Sequence, residues 1–197
     1  MPVTADDLEV ATSAVVATLR PVTNRNWSVP AHGLEWDCWH TAEHVGDCLL
    51  SYAGQVAIQP SGRYVAFLVT ANEGASPAEV LEVAEAGGRI LAATVRSADP
   101  STRGFHPTGQ ADPEGFAGMG CLEMLLHGHD IATAFGLTLD PPADTCARLL
   151  ARMFPDQAAA VAGADPWTAL LWCSGRGDLP GQERVTSWRW RGAPLGE

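Results

Sequence analysis

Glu123 and His127 stand four residues apart in the stretch Cys121-Leu122-Glu123-Met124-Leu125-Leu126-His127-Gly128-His129-Asp130. On a helix, that spacing projects both side chains from one side, a turn apart. Leu122, Met124, Leu125, Leu126 and Ile131 leave little polar surface around them. A carboxylate in apolar surroundings is costly unless it is paired or coordinates a metal. A second stretch, Cys38-Trp39-His40-Thr41-Ala42-Glu43-His44-Val45, offers further imidazoles. His44 added to Glu123 and His127 gives two imidazoles and one carboxylate, with a fourth position free. That is the ligand count of a catalytic zinc site rather than of a closed structural one. Di-metal bundles use paired Glu-x-x-His sets, so one Glu-x-x-x-His with one further His fits a mononuclear site better.

These residues need helices to position them, and the pattern supplies four long ones. Residues 4 to 20 carry Leu8, Ala11, Val15 and Leu19 at helical spacing, with Thr4 as cap and Asp6 and Asp7 in the first turn. Pro21 ends that helix. After a loop-like segment to Leu34, a second helix is predicted from about Asp37 to Ile58. The run from Tyr64 to Thr70 is ambiguous by periodicity and is taken as extended chain or the approach to the next helix. Ser76-Pro77-Ala78-Glu79 is a strong helix start. It opens a third helix to about Ala98, which the Gly87-Gly88 pair weakens locally. A polar connection from Asp99 to Glu114 leads to a fourth helix, Gly115 to Phe135, with Gly136 as its stop. Two short helices follow, near Asp144 to Met153 and Pro166 to Cys173. Trp188-Arg189-Trp190 then alternates like a strand. The expected fold class is all-α: a four-helix bundle over residues 1–140, with a short C-terminal extension over 141–197 packed on it.

Composition narrows the classes of function. The 197 residues are 46% hydrophobic, enough for one globular domain with a real core. The formal charge is −11 and every basic residue is Arg, without a basic cluster. Such a chain is a poor candidate for gripping nucleic acid or an anionic membrane. The five Cys are odd in number and form no CxxC pair. Neither a disulfide framework nor a zinc ribbon is supported, and reduced thiols in a cytoplasmic protein are the expectation. The acidic N-terminus has no apolar signal region, and the apolar runs fall short of a membrane span.

Three stretches resemble one family. Trp36-Asp37-Cys38-Trp39-His40-Thr41-Ala42-Glu43-His44-Val45 resembles the W-x7-H-[LV] stretch of the DinB-like, mycothiol-dependent maleylpyruvate isomerase superfamily. Glu123 to Gly136 is similar to that family's E-x3-H-x2-D-x-A-x-A-x-G helix. Ala169-Leu170-Leu171-Trp172-Cys173-Ser174-Gly175-Arg176 is a weaker match to its A-L-L-x3-G-R ending. The three fall in the family's order and cover most of the chain. The resemblance implies a four-helix bundle with one divalent metal at its open end, usually zinc, with nickel or iron as substitutes. By motif, the ligands are His44, Glu123 and His127. It also implies a low-molecular-weight thiol, mycothiol or bacillithiol, as cosubstrate in isomerisation or S-transfer on a small molecule. The isomerase proper carries a longer α/β appendage, whereas about sixty residues follow the fourth helix here. That departure bears on the maleylpyruvate substrate rather than on the metal site.

Several residues keep more than one reading. His40, a turn before His44, is a fourth ligand, a proton shuttle or a surface histidine at the helix start. It is also the first candidate for a catalytic base. Asp130 either accepts the proton on the His127 nitrogen that faces away from the metal or serves a cap or surface pair. Arg176 either anchors the tail or meets an anionic substrate or thiol cofactor. His129 points elsewhere on the helix, and Trp36, Trp39, Trp167, Trp172, Trp188 and Trp190 read as core and lid packing. None of the five Cys has a convincing nucleophile setting.

Three functions compete. In the first, the metal lowers the pKa of a bound thiol, and the thiolate attacks an electrophilic carbon. In the second, the same site activates water for hydrolysis and needs no thiol. In the third, a metal-stabilised bundle binds or confers self-resistance without turnover, and a fourth protein ligand would favour it. Whether two chains pair as a homodimer is left open.

Overall fold

The computed structural model describes residues 1–196, and these form six α-helices and no β-strand. The long helices are α1 (Ala5–Leu19), α2 (Cys38–Ile58), α3 (Pro77–Ser97) and α4 (Pro113–Ala134). Two shorter ones, α5 (Ala143–Met153) and α6 (Pro166–Cys173), complete the set. Local chemistry explains the starts. Thr4 with Asp7, and Ser76 with Glu79, form reciprocal capping boxes. Asp37, Asp112 and Asp165 cap α2, α4 and α6, the last two with Pro at the first helical position. The Asp112-Pro113 signal starts α4 two residues before the Gly115 expected from periodicity.

Side-chain contacts give the helix directions. Gly46 faces Val83 and Ala84, and Leu49 faces Gly87, so α2 and α3 run parallel. Leu8 packs on Gly120 and Val15 on Gly128, so α1 and α4 also run parallel. Thr12 meets Gly88 while Asp6 reaches Arg96, which sets α1 antiparallel to α3. His44 lies by His127 and Tyr52 by Glu123, which sets α2 antiparallel to α4. The bundle is therefore up-down-down-up. A side chain at Gly87 would press on the Leu49 side chain and the Gly46 carbonyl, and one at Gly88 would overlap Thr12. The glycine pair costs helix propensity, and in return it lets α3 close on both of its neighbours.

Parallel α2 and α3 require a crossover, and α2 itself holds it in place. Glu43 accepts from the Ala71 amide at 2.9 Å and Asp47 from the Val69 amide at 2.8 Å. Gln55 accepts from Val65 N at 2.8 Å and donates to the Phe105 carbonyl at 2.7 Å. Polar side chains at helical spacing thus satisfy the backbone of the Tyr64–Thr70 run, which stays irregular rather than becoming a strand or helix.

Leu8, Leu19, Leu49, Leu91, Phe116, Leu122 and Leu125 fill the bundle core. Cys146, Leu149, Leu170 and Trp172 of α5 and α6 join the same cluster, so the extension shares that core. Trp188-Arg189-Trp190 forms no strand. The two indoles instead lie 5.5 Å apart and line a cleft of about 710 Å³ with Met153 and Phe154. Alternation over three residues was too short to carry a strand without a partner to pair with. Among the described residues, no helix is long and apolar enough to cross a membrane.

Candidate metal centre

The antiparallel pairing of α2 and α4 brings His44, Glu123 and His127 together, although 79 positions of sequence separate the first two. His44 Nε2 lies 3.8 Å, and His127 Nε2 3.4 Å, from Glu123 Oε2. The two imidazoles meet edge to face, with centroids 5.3 Å apart. Glu123 is only 6% exposed, and among the described residues its ion-pair partners are His44 and His127. Its other oxygen, Oε1, accepts from the buried Tyr52 hydroxyl at 3.0 Å. This leaves Oε2 facing the two histidines.

A second carboxylate stands behind His127. Asp130 Oδ2 lies 3.2 Å from His127 Nδ1. Arg176 grips Asp130 with Nε and Nη2, both at 2.9 Å. An ionised carboxylate only accepts, so Nδ1 donates to Asp130, and Nε2 is the nitrogen turned toward Glu123. Arg176 thus acts through Asp130, as an orienting partner two bonds removed from the site. The guanidinium also lies 5.8 Å from the Trp188 ring.

The local field favours positive charge at this spot. Burial pushes the His127 imidazole down, but the hydrogen bonds to Asp130 and Glu123, together with their charges, raise its pKa to about 9. Burial also pushes the Glu123 carboxyl up. The His127 hydrogen bond and charge, the His44 charge and the Tyr52 hydroxyl together leave it below its ordinary value. Burial dominates at His44 and lowers its pKa, against the Glu123 charge that raises it.

His44, Cys48 and Glu123 bring their donor atoms within 4.8 Å of one another, the spacing of a possible cation site, and His127 stands beside Glu123 but outside that group. Nitrogen and oxygen donors bonded at about 2.0–2.1 Å to a tetrahedral centre stand about 3.3–3.4 Å from each other. The 3.4 Å and 3.8 Å spacings on Glu123 Oε2 lie near that value. Access is available on the α2 side. The His44 side chain is 32% exposed, and the half-exposed Trp36 rests edge-on against it at 4.9 Å.

Two residues of this cluster escaped the sequence reading. Cys48 Sγ lies 3.5 Å from His44 Nε2, and the donor atoms of His44, Cys48 and Glu123 all fall within 4.8 Å of one another. Tyr52 is the other. His44, Cys48 and Tyr52 follow at successive intervals of four, a same-face spacing that was visible in the sequence. His40 stands apart from the cluster. It is exposed at the start of α2, with Nδ1 2.7 Å from the capping carboxylate of Asp37. His129 packs against Trp167 at 5.8 Å.

No family model matches this chain, and neither a curated protein nor a solved structure matches it. The functional reading therefore rests on the site's own chemistry and on the three sequence stretches.

Proposed function

We propose that this is a DinB-like, metal-dependent enzyme of the mycothiol-dependent isomerase or S-transferase type. His44, Glu123 and His127 hold one divalent cation, zinc in the first instance. The observation that carries the reading is the approach of two imidazole nitrogens to one buried carboxylate oxygen. A cation bound there supplies Lewis acidity, which lowers the pKa of a coordinated thiol or water.

The chain's own residues do the rest. Tyr52 fixes the Glu123 carboxylate by its outer oxygen. Asp130, held by Arg176, fixes the tautomer and plane of His127. The apolar wall of Leu122, Leu125 and Leu126 excludes water from behind the site and strengthens each of these interactions. Reactants reach it past Trp36 and the exposed edge of His44.

The experiment is a turnover assay on zinc-loaded protein with mycothiol and a panel of electrophilic alkenes, following loss of free thiol, with His44→Ala as control. Turnover that needs both thiol and His44 is the expected result. Product formation that continues without thiol would replace this reading with metal-assisted hydrolysis at the same ligands. No turnover with any substrate from a fully loaded site would favour the binding or self-resistance role.

A further inference from the structure

We propose that Cys48 is a fourth protein donor to the cation, so that the centre is held by His44, Cys48, Glu123 and His127. The inference rests on the proposed cation site and adds a thiolate to it. Cys48 follows His44 by one helical turn and projects from the same face of α2. A tetrahedral centre with a sulfur bond of about 2.3 Å and a nitrogen bond of about 2.0 Å separates the two donors by about 3.6 Å. Cys48 Sγ and His44 Nε2 are 3.5 Å apart. The Glu123 carboxylate lies within the same 4.8 Å group, and His127, 3.4 Å from Glu123 but outside that group, draws in to complete the four.

The other cysteines make a useful contrast. Cys38, Cys121, Cys146 and Cys173 are buried as small apolar side chains in the core. Cys48 is only partly buried and is turned toward an imidazole and a carboxylate.

Charge balance supports the assignment. Two neutral imidazoles, one carboxylate and one thiolate sum to two negative charges, which matches a divalent cation in a poorly solvated pocket. On binding, the Sγ–H proton and any proton on His127 Nε2 leave to solvent, and the sulfur and nitrogen lone pairs form the bonds, so the uptake releases protons. The donor set also becomes softer. It selects zinc, cobalt or cadmium over magnesium, calcium or manganese. Four protein donors close a tetrahedron, the arrangement that favours the non-catalytic reading, so turnover at this centre requires a substrate thiol or water to expand the coordination to five or to displace one donor.

The test is optical spectroscopy of the cobalt(II)-loaded protein, native and Cys48→Ser, paired with X-ray absorption of the native zinc form. The expected result is a near-ultraviolet sulfur-to-cobalt charge-transfer band in the native protein that is lost in Cys48→Ser. The zinc form should show one sulfur scatterer at about 2.3 Å. Cobalt bound with only ligand-field bands, or a charge-transfer band that survives in Cys48→Ser, overturns the inference. Zinc surrounded by nitrogen and oxygen alone does the same without reliance on any variant. In each of these cases the His44–Glu123–His127 reading is left standing. Failure of folded native protein to take up either metal removes that reading, and this inference with it.

Discussion

Two buried carboxylates, Asp7 on α1 and Glu123 on α4, are almost equally hidden from water, yet they are treated in opposite ways. Asp7 is 3% exposed and its acceptor capacity is saturated. Thr4 donates its amide and hydroxyl, Thr145 its hydroxyl, and Arg148 clasps both oxygens. The Arg148 charge cannot be discharged, so this pair is a permanent fixture that ties α5 to the bundle. Glu123 is 6% exposed, and among the described residues it is paired with histidines instead. Its neighbours are a phenol, a thiol and two imidazoles, groups that adjust their protonation and can share a cation. Burial alone therefore does not mark a functional acid. What distinguishes Glu123 is that its counter-charge is left to something that can come and go.

The sharpest way to break this contrast is to remove each carboxylate in turn. Asp7→Ala removes the hydrogen bonds from Thr4, Thr145 and the partly exposed Arg148 and should cost about 1–3 kcal/mol, read from urea denaturation, with the metal content unchanged. Glu123→Ala should abolish metal binding. In excess chelator it should destabilise less than Asp7→Ala, because the imidazoles can simply become neutral. Metal loss in Asp7→Ala, or full metal retention in Glu123→Ala, would collapse the distinction.

A smaller effect is expected one step back from the site. Asp130→Asn loses the carboxylate that orients His127 and should weaken metal affinity by about 10–100-fold in competition with a chelator. Arg176→Met acts through Asp130 and should weaken it less. An affinity that is indifferent to both would mean that Asp130 and Arg176 only anchor the tail.

The smallest effect is a pH dependence. At Asp7 burial pushes the carboxyl up, but Arg148, Thr4 and Thr145 outweigh it and hold its pKa below the usual value of 3.8. A depressed carboxyl contributes stability that is fully present above its unfolded pKa and is lost as pH falls through the folded value. Thermal midpoints should therefore fall below about pH 4, and fall less steeply in Asp7→Asn. Parallel curves for the two proteins would assign acid unfolding elsewhere.

Features encoded within a few residues were legible in the sequence. The capping boxes at Thr4 and Ser76, the Pro77 start and the Glu123–His127 spacing each rest on neighbours one turn away. The all-helical class followed from them. What depends on distant partners was less legible. The spacing on α4 does not say that His44 faces it across the bundle; the ligand count of a catalytic zinc site and the resemblance suggested that pairing. The parallel run of α2 and α3 depends on Gly87 meeting Gly46 and on Glu43, Asp47 and Gln55 clasping a crossover. The sequence reading credited Gly87 and Gly88 only with a weaker helix. Asp7 and Arg148 are joined across 141 positions. Cys48 was missed for a different reason: thiols were weighed against one another for CxxC pairs, when the relevant partner was a histidine one turn earlier on the same helix.

The central claim is that α2 and α4 together build a cation site, and metal analysis tests it most directly. Native protein and Glu123→Ala would be purified from rich medium, incubated with zinc, nickel or ferrous iron, desalted and measured by inductively coupled plasma mass spectrometry. The account expects about one divalent ion per native chain and none in the variant. A folded native protein that retains no metal after all three incubations would contradict it.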